Sequence, residues 1–135
     1  MKELAKDNYD FANSYLNTIT SSFSNPNRKF DNDLLYNMIA ICFEKFMIAW
    51  LAHHDSIATS HLPLMLYREV NDFEPDLSLS LRKTAVLVGS FEGICSIDDF
   101  GYRTPDNPQI DRMIEGLNEL KDLVTERLKS ATETD

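Results

Sequence analysis

Apolar residues recur every three or four positions along most of this chain, which is the spacing of amphipathic α-helices. Residues 2–23 show this spacing, and the turn that contains Pro26 ends the helix it predicts. Residues 31–54 are apolar on nearly every side, and only Glu44 and Lys45 interrupt them. A helix that is apolar all round has to be covered all round. The pattern therefore predicts that residues 31–54 form the central helix of the molecule.

Three more helices are predicted downstream. Residues 61–71 form a short helix that accepts Pro63 in its first turn. Residues 77–97 form a long helix with one apolar stripe, and the last helix begins with Asn107 as its N-cap. Strand alternation of useful length is absent from the sequence. The predicted fold is all-α, an antiparallel up-and-down helical bundle of four long helices plus one short inserted helix, and it occupies residues 1–135 as a single domain.

Composition narrows the class of protein. The chain has 135 residues, 43% of them hydrophobic, which suits one globular domain with its own core. Its net charge of -9 argues against nonspecific binding to nucleic acid or to anionic membranes. The apolar run at residues 38–52 is shorter than the roughly 20 residues that cross a bilayer and contains two charges, so we expect no membrane span. Cys42 and Cys95 fit apolar helical patterns as reduced thiols, and we expect a cytoplasmic location.

The charged pair in the middle of the central helix has two interpretations. Glu44 and Lys45 can lie on a thin solvent-exposed stripe that also includes Tyr36, Asn37 and Ala52. Alternatively they are buried and Glu44 pairs with Arg103, because a charge inside an apolar helix needs water or a partner. The sequence leaves both interpretations open.

The histidines and short motifs give little sign of catalysis. His53 and His54 are adjacent and so point to different sides of a helix, and neither they nor His61 have ligands at a recognised zinc spacing. Motifs for a nucleophilic serine or for phosphate-binding loops are absent from the sequence. We therefore expect no metal site, no cofactor and no catalytic residue.

Three segments, taken in order, resemble one known family. They are ICFEKFMIAWLAHH at residues 41–54, SHLPLML at residues 60–66 and DDFGYRTPD at residues 98–106. Together they are similar to HEPN domains, whose name stands for higher eukaryotes and prokaryotes nucleotide-binding. The resemblance implies that five residues occupy motif positions and are candidate ligand-binding residues: Glu44, Lys45, His61, Tyr102 and Arg103. Residues 98–106 are otherwise explained as an ordinary polar turn.

The resemblance also carries expectations about activity and partners. Many members are homodimers and associate with small nucleotidyltransferase proteins in toxin-antitoxin or defence systems, and a nucleotide is an alternative ligand. Ribonuclease members carry an Arg followed after four to six residues by a His, whereas here His53 follows Arg28 by 25 positions. We therefore expect a noncatalytic binding or interaction module rather than an enzyme. The alternatives are a nucleotide-binding or RNA-processing enzyme that uses nonstandard residues, and a structural domain without a ligand.

Overall fold

A computed structural model describes residues 1–92, 97–98 and 101–134 of the chain. Two-residue strands β1 and β2 pair in antiparallel fashion, with Ile97 opposite Tyr102 and Asp98 opposite Gly101. All other regular structure in the described ranges is helical, which confirms the all-α class. The elements in chain order are α1 Lys2–Ser24, α2 Asn32–His53, α3 Pro63–Phe73, α4 Leu79–Gly89, β1 Ile97–Asp98, β2 Gly101–Tyr102 and α5 Asn107–Thr134.

Helices α2 and α5 begin where side chains cap them. The Asp31 carboxylate accepts a hydrogen bond of 2.9 Å from the Leu34 amide and so caps α2. At α5 the side chain of Asp106 accepts from the Gln109 amide while the Gln109 side chain accepts from the Asp106 amide, both at 2.9 Å. The N-cap of α5 is therefore Asp106, one residue before the predicted Asn107.

The fourth helix is shorter than its apolar pattern predicts. It ends at Gly89 rather than Ile97, and residues 93–96 lie outside the described part of the chain. The described helices are thus three long ones of 23, 22 and 28 residues and two of 11 residues, instead of four long helices and one short one. Gly89 faces Pro63, whose Cβ lies 3.8 Å from the position that a Cβ at residue 89 would take.

Helices α1 and α2 pack side by side in opposite directions. The Tyr9 ring meets the Phe46 ring edge-on with centroids 5.9 Å apart. Three residues later in α1, the Ala12 carbonyl accepts a 3.2 Å hydrogen bond from the Cys42 thiol. Burial raises the pKa of that thiol to about 12, so Cys42 is a neutral core residue as predicted.

Helix α5 runs in the same direction as α2. At one end Asn32 donates to the Asn107 side chain at 3.0 Å, and at the other end the Arg127 guanidinium lies 5.6 Å from the centre of the Trp50 ring. Helix α4 runs against both, because the Tyr36 hydroxyl, near the start of α2, donates to the carbonyl of Val88 at the end of α4.

Helix α2 supplies the largest share of the core. Its length and hydropathy would allow it to cross a membrane, but half of its most apolar window is buried inside this molecule, as in the central helix of a bundle. Its buried residues are Leu35, Tyr36, Ile39, Cys42, Phe43, Phe46, Met47, Ala49, Trp50, Leu51 and Ala52.

Candidate functional site

Arg103 fastens the polar loop before α5 to the end of α4. Its Nη2 donates to the Ser90 carbonyl at 2.7 Å, and its guanidinium carbon lies 4.8 Å from the centre of the Phe91 ring. The next residue, Thr104, donates to the Asp33 carboxylate at 2.8 Å in the first turn of α2. These contacts join the ends of three helices through one short segment.

The structure does not pair Arg103 with Glu44. Arg103 precedes Thr104, which contacts Asp33, and eleven residues separate Asp33 from Glu44 along α2. An α-helix rises about 1.5 Å per residue, so the two levels are about 16 Å apart. The interpretation of Glu44 as the buried partner of Arg103 is therefore wrong, and the solvent-exposed stripe is the better account.

The membership of that stripe differs from the prediction. Asn37 is exposed as predicted, but Tyr36 and Ala52 are buried instead of exposed. Burial, followed by the negative charge and hydrogen bonding of Glu92, raises the pKa of the Tyr36 hydroxyl, which stays protonated and donates to Val88 at 2.7 Å. The sequence missed this because an aromatic hydroxyl looks suited to solvent until its acceptor on another helix is known.

An open seam of apolar residues runs along α2. Leu34, Ile41 and Ile48 are spaced seven apart; Leu34 is 42% exposed, Ile41 is 37% exposed and Ile48 is half-buried. Residues seven apart are two turns apart on one side of a helix. Glu44 and Lys45 are half-buried and fall on opposite sides of this seam, since each residue advances the helix by about 100°.

The neighbouring side of α1 extends this apolar surface. Phe11 stacks on Tyr15 with ring centroids 4.6 Å apart, and the Lys45 ammonium lies 5.6 Å from the centre of the Phe11 ring. Leu4, two turns before Phe11, is exposed as well. We call the whole surface the α1–α2 apolar face, and its residues are Leu4, Phe11, Tyr15, Leu34, Ile41 and Ile48.

The remaining predicted site residues lie elsewhere. His61 is exposed and precedes by two residues Pro63, the neighbour of Gly89 at the end of α4. It therefore shares one end of the molecule with Arg103 and is separated from Glu44 and Lys45 along α2. The side chain of Tyr102 lies outside the described part of the structure.

A cluster of polar contacts is centred on Glu74, a residue that no pattern in the sequence marked as a candidate. One carboxylate oxygen, Oε2, accepts from the indole nitrogen of Trp50 at 2.5 Å and contacts Nε2 of His54 at 2.6 Å. The other, Oε1, accepts from Nε of Arg127 at 2.9 Å and lies 2.9 Å from Nη2 of the same guanidinium. Because an ionised carboxylate only accepts, His54 carries its hydrogen on Nε2 here. The His54 ring also stacks on Phe73 with centroids 4.8 Å apart.

The cluster controls the protonation of its members. Burial raises the pKa of Glu74, but hydrogen bonds from His54, Trp50 and Arg127, together with the charge of Arg127, outweigh burial and lower that pKa below its usual value. Burial lowers the pKa of the adjacent His53, with further lowering by His54. Glu74 is therefore ionised and His53 is neutral near pH 7.

A single local signal in the sequence pointed toward this cluster. Trp50 lies in the most apolar helix of the chain, and a buried indole usually finds an acceptor for its N–H group. The acceptor itself could not be identified, because Glu74 is 24 residues further along and its other partner, Arg127, is 53 residues beyond that. In the part of the chain that the structure describes, no three His, Cys, Asp or Glu side chains are arranged to hold a metal ion.

Several polar contacts of the described residues thus join different helices, while four residues of the α1–α2 apolar face, Leu4, Phe11, Leu34 and Ile41, are 37–42% exposed. Comparison of the chain with models of protein families, with curated proteins and with solved structures found no match.

Proposed function

We propose that this protein is a noncatalytic, HEPN-like binding and interaction module that works in the cytoplasm as a homodimer. The observation that carries the proposal is the α1–α2 apolar face. Large contiguous apolar patches are uncommon on soluble monomers and commonly mark sites of association. The alternating directions of α1, α2, α4 and α5, with α3 inserted between α2 and α4, support a HEPN-like up-and-down bundle.

The chemistry of the seam favours a second copy of the same chain as its occupant. A two-fold axis parallel to α2 places two α2 helices side by side in the same direction. Leu34, Ile41 and Ile48 then face their own counterparts, which is the seven-residue repeat of a two-helix seam. Since Glu44 and Lys45 flank the seam on opposite sides, Glu44 of each copy faces Lys45 of the other copy.

The family resemblance extends the proposal to a second partner. A small nucleotidyltransferase-type protein of a toxin-antitoxin or defence system would bind the dimer, and a nucleotide is the alternative ligand. Arg103 and His61 share the end of α4 and are the residues we assign to this contact, together with Tyr102. Glu44 and Lys45 are assigned to the dimer seam instead.

The dimer is tested by sedimentation velocity across micromolar concentrations. We expect the wild-type protein to be dimeric and Ile41→Glu to be monomeric, because the substitution places two carboxylates opposite each other in an apolar seam. Val86→Glu is the matched control, since Val86 is also an exposed apolar residue but lies on α4. We expect Val86→Glu to remain a dimer. A monomeric wild-type protein would overturn the homodimer.

Charge reversal tests the arrangement of the two copies. Glu44→Lys alone and Lys45→Glu alone each place like charges across the seam and should weaken the dimer. The double variant Glu44→Lys with Lys45→Glu restores opposite charges and should recover most of the wild-type affinity. If the double variant is as weak as the sum of the single variants, the parallel arrangement is wrong even though a dimer exists.

A further inference from the structure

A polar depression lies where α1 ends and the connection to α2 begins. Its volume is ≈ 450 Å³ and it opens widely to solvent. Its lining contains two cations, Arg28 and Lys29, and no carboxylate, although the chain as a whole has a net charge of -9. The remaining lining residues are mostly amides and hydroxyls: Asn17, Thr18, Ser21, Ser22, Asn25 and Phe30. A local surplus of positive charge in an acidic protein points to an anionic ligand.

The guanidinium of Arg28 is held in place by neutral partners. Its Nη2 donates to the side-chain oxygens of Asn32 at 2.8 Å and Asn107 at 3.1 Å, and its central carbon lies 5.2 Å from the centre of the Phe23 ring. Asn32 is fixed in turn, because its amide donates to the Pro105 carbonyl at 2.9 Å. The charge of Arg28 is therefore positioned without being neutralised by a carboxylate in the described part of the chain.

One terminal nitrogen of Arg28 lacks a partner. Nη1 is shielded from solvent and has no hydrogen-bond acceptor among the described residues. A shielded charged donor without an acceptor is costly, and an oxyanion would supply one once the side chains that shield Nη1 move aside. This unsatisfied nitrogen is an observation independent of the shape and charge of the depression.

Lys29 adds a second positive charge to the depression, and the nearest carboxylate in sequence does not neutralise it. Lys29 is exposed and forms no ion pair with a carboxylate in the described ranges. The nearest acid in sequence, Asp31, directs its carboxylate to the Leu34 amide as the cap of α2. Carbonyl groups at the C-terminal end of α1 oppose an anion. The attraction therefore rests on the two side-chain charges.

We propose that this depression binds a small molecule through a phosphate group. The phosphate would lie between Arg28 and Lys29. Nη1 of Arg28 would donate a charge-assisted hydrogen bond, because Nη2 already donates to Asn32 and Asn107, and Lys29 would act as a point charge. The hydroxyl and amide side chains of Thr18, Ser21 and Asn25 would contact a polar body attached to the phosphate. The site is independent of the α1–α2 apolar face and of the dimer.

The probe for the test is inorganic phosphate, titrated at constant ionic strength into ¹⁵N-labelled protein. We expect saturable shifts confined to the amides of residues 17–30. Hydrogen bonds to charged groups contribute about 1.5–3 kcal/mol, so Arg28→Gln should weaken binding at least about tenfold. Lys29→Gln, which changes an exposed side chain, should weaken binding severalfold with no loss of folded structure. Lys83→Gln is the control, because it removes one exposed charge on α4.

The three variants distinguish a phosphate site at Arg28 and Lys29 from nonspecific binding. Saturable binding that is weakened by both Arg28→Gln and Lys29→Gln but not by Lys83→Gln supports the site. Shifts that fail to saturate, or an unchanged affinity in Lys29→Gln, overturn it, and so do equal losses in all three variants. Since the readout is local to residues 17–30, it stays informative whether the protein is a monomer or a dimer.

Discussion

The carboxylate of Glu74, just after α3, connects the ends of α2 and α3 to α5. Trp50 and His54 come from the end of α2, and Arg127 comes from α5. The carboxylate is 18% exposed, so water competes only weakly for its lone pairs. Charge-assisted hydrogen bonds in such surroundings are stronger than those between neutral groups.

Replacing this carboxylate tests its contribution to stability. Because hydrogen bonds to charged groups are worth about 1.5–3 kcal/mol, we expect Glu74→Gln to lower the free energy of unfolding by about 2 kcal/mol. Urea unfolding at pH 7 provides the measurement. Glu126→Gln is the control, since Glu126 also pairs with Arg127, at 3.6 Å, but is 73% exposed. It should change stability by less than about 0.5 kcal/mol.

The wild-type protein and Glu74→Gln should also differ in how their stability depends on pH. The pKa of Glu74 is lowered in the folded protein, so the unfolded chain takes up the proton first as pH falls. The stabilisation from Glu74 is thus complete above its ordinary pKa of 4.5 and is lost as pH falls through the lower folded value. The stability difference between the wild-type protein and Glu74→Gln should shrink below about pH 4.5. A difference that is constant from pH 7 to pH 3 would contradict this assignment.

At the scale of single helices, the contact between α4 and α5 depends on a glycine. A Cβ atom at Gly116 would collide with the side chain of Thr84, which is itself buried. The two helices approach closely at this point because α5 has no side chain there. Gly116 lies within the apolar stripe of α5, and nothing in the local sequence pattern indicates this close contact.

A pair of glycine substitutions tests this close approach. Gly116→Ala should destabilise the protein by about 1–3 kcal/mol, the usual cost of overpacking a well-filled contact. Gly89→Ala is the control, because a Cβ there would meet Pro63 at an ordinary 3.8 Å. It should be neutral or stabilising by up to about 1 kcal/mol, since alanine favours helix more than glycine does. Thermal unfolding of both variants measures the contrast, and equal effects would rule out a specific contact at Gly116.

The helices differ in how well the sequence predicts them, for identifiable reasons. Helix α1 was predicted nearly to the residue because its stripe ends at a turn containing Pro26. Helix α4 was extended too far because apolar residues continue at helical spacing beyond Gly89, and Phe91 is indeed buried. The carbonyl of Ser90, just after the end of α4, accepts a hydrogen bond from Arg103, which lies in a segment further along the chain. Such a contact leaves no trace in the local pattern.

At the scale of the whole molecule, α2 is covered on most of its circumference but not all. The sequence predicted complete cover, and the open side at Ile41 could not be located because the helix is apolar in every direction. An amphipathic helix marks its exposed side with polar residues, whereas this one does not. Because α2 is evenly apolar, the sequence also did not show that Glu44 and Arg103 lie on different parts of the surface.

The overall charge leads to a prediction about RNA. With a net charge of -9, the protein should not retain RNA at about 150 mM salt, because binding to phosphate backbones relies on surplus Lys and Arg. It should also leave RNA intact during prolonged incubation. Filter binding and gel analysis provide the measurements. Cleavage that disappears in His53→Ala, His54→Ala or His61→Ala would contradict a noncatalytic module.

Trp50 has a spectroscopic consequence. It is the only tryptophan in the chain. Its side chain is fully buried where the end of α2 meets Glu74 and Arg127. Its emission spectrum therefore reports on that one junction, whereas circular dichroism averages over all the helices. Coincident unfolding curves from the two signals would identify a single cooperative unit, and an earlier change in emission would show that the junction opens while the helices persist.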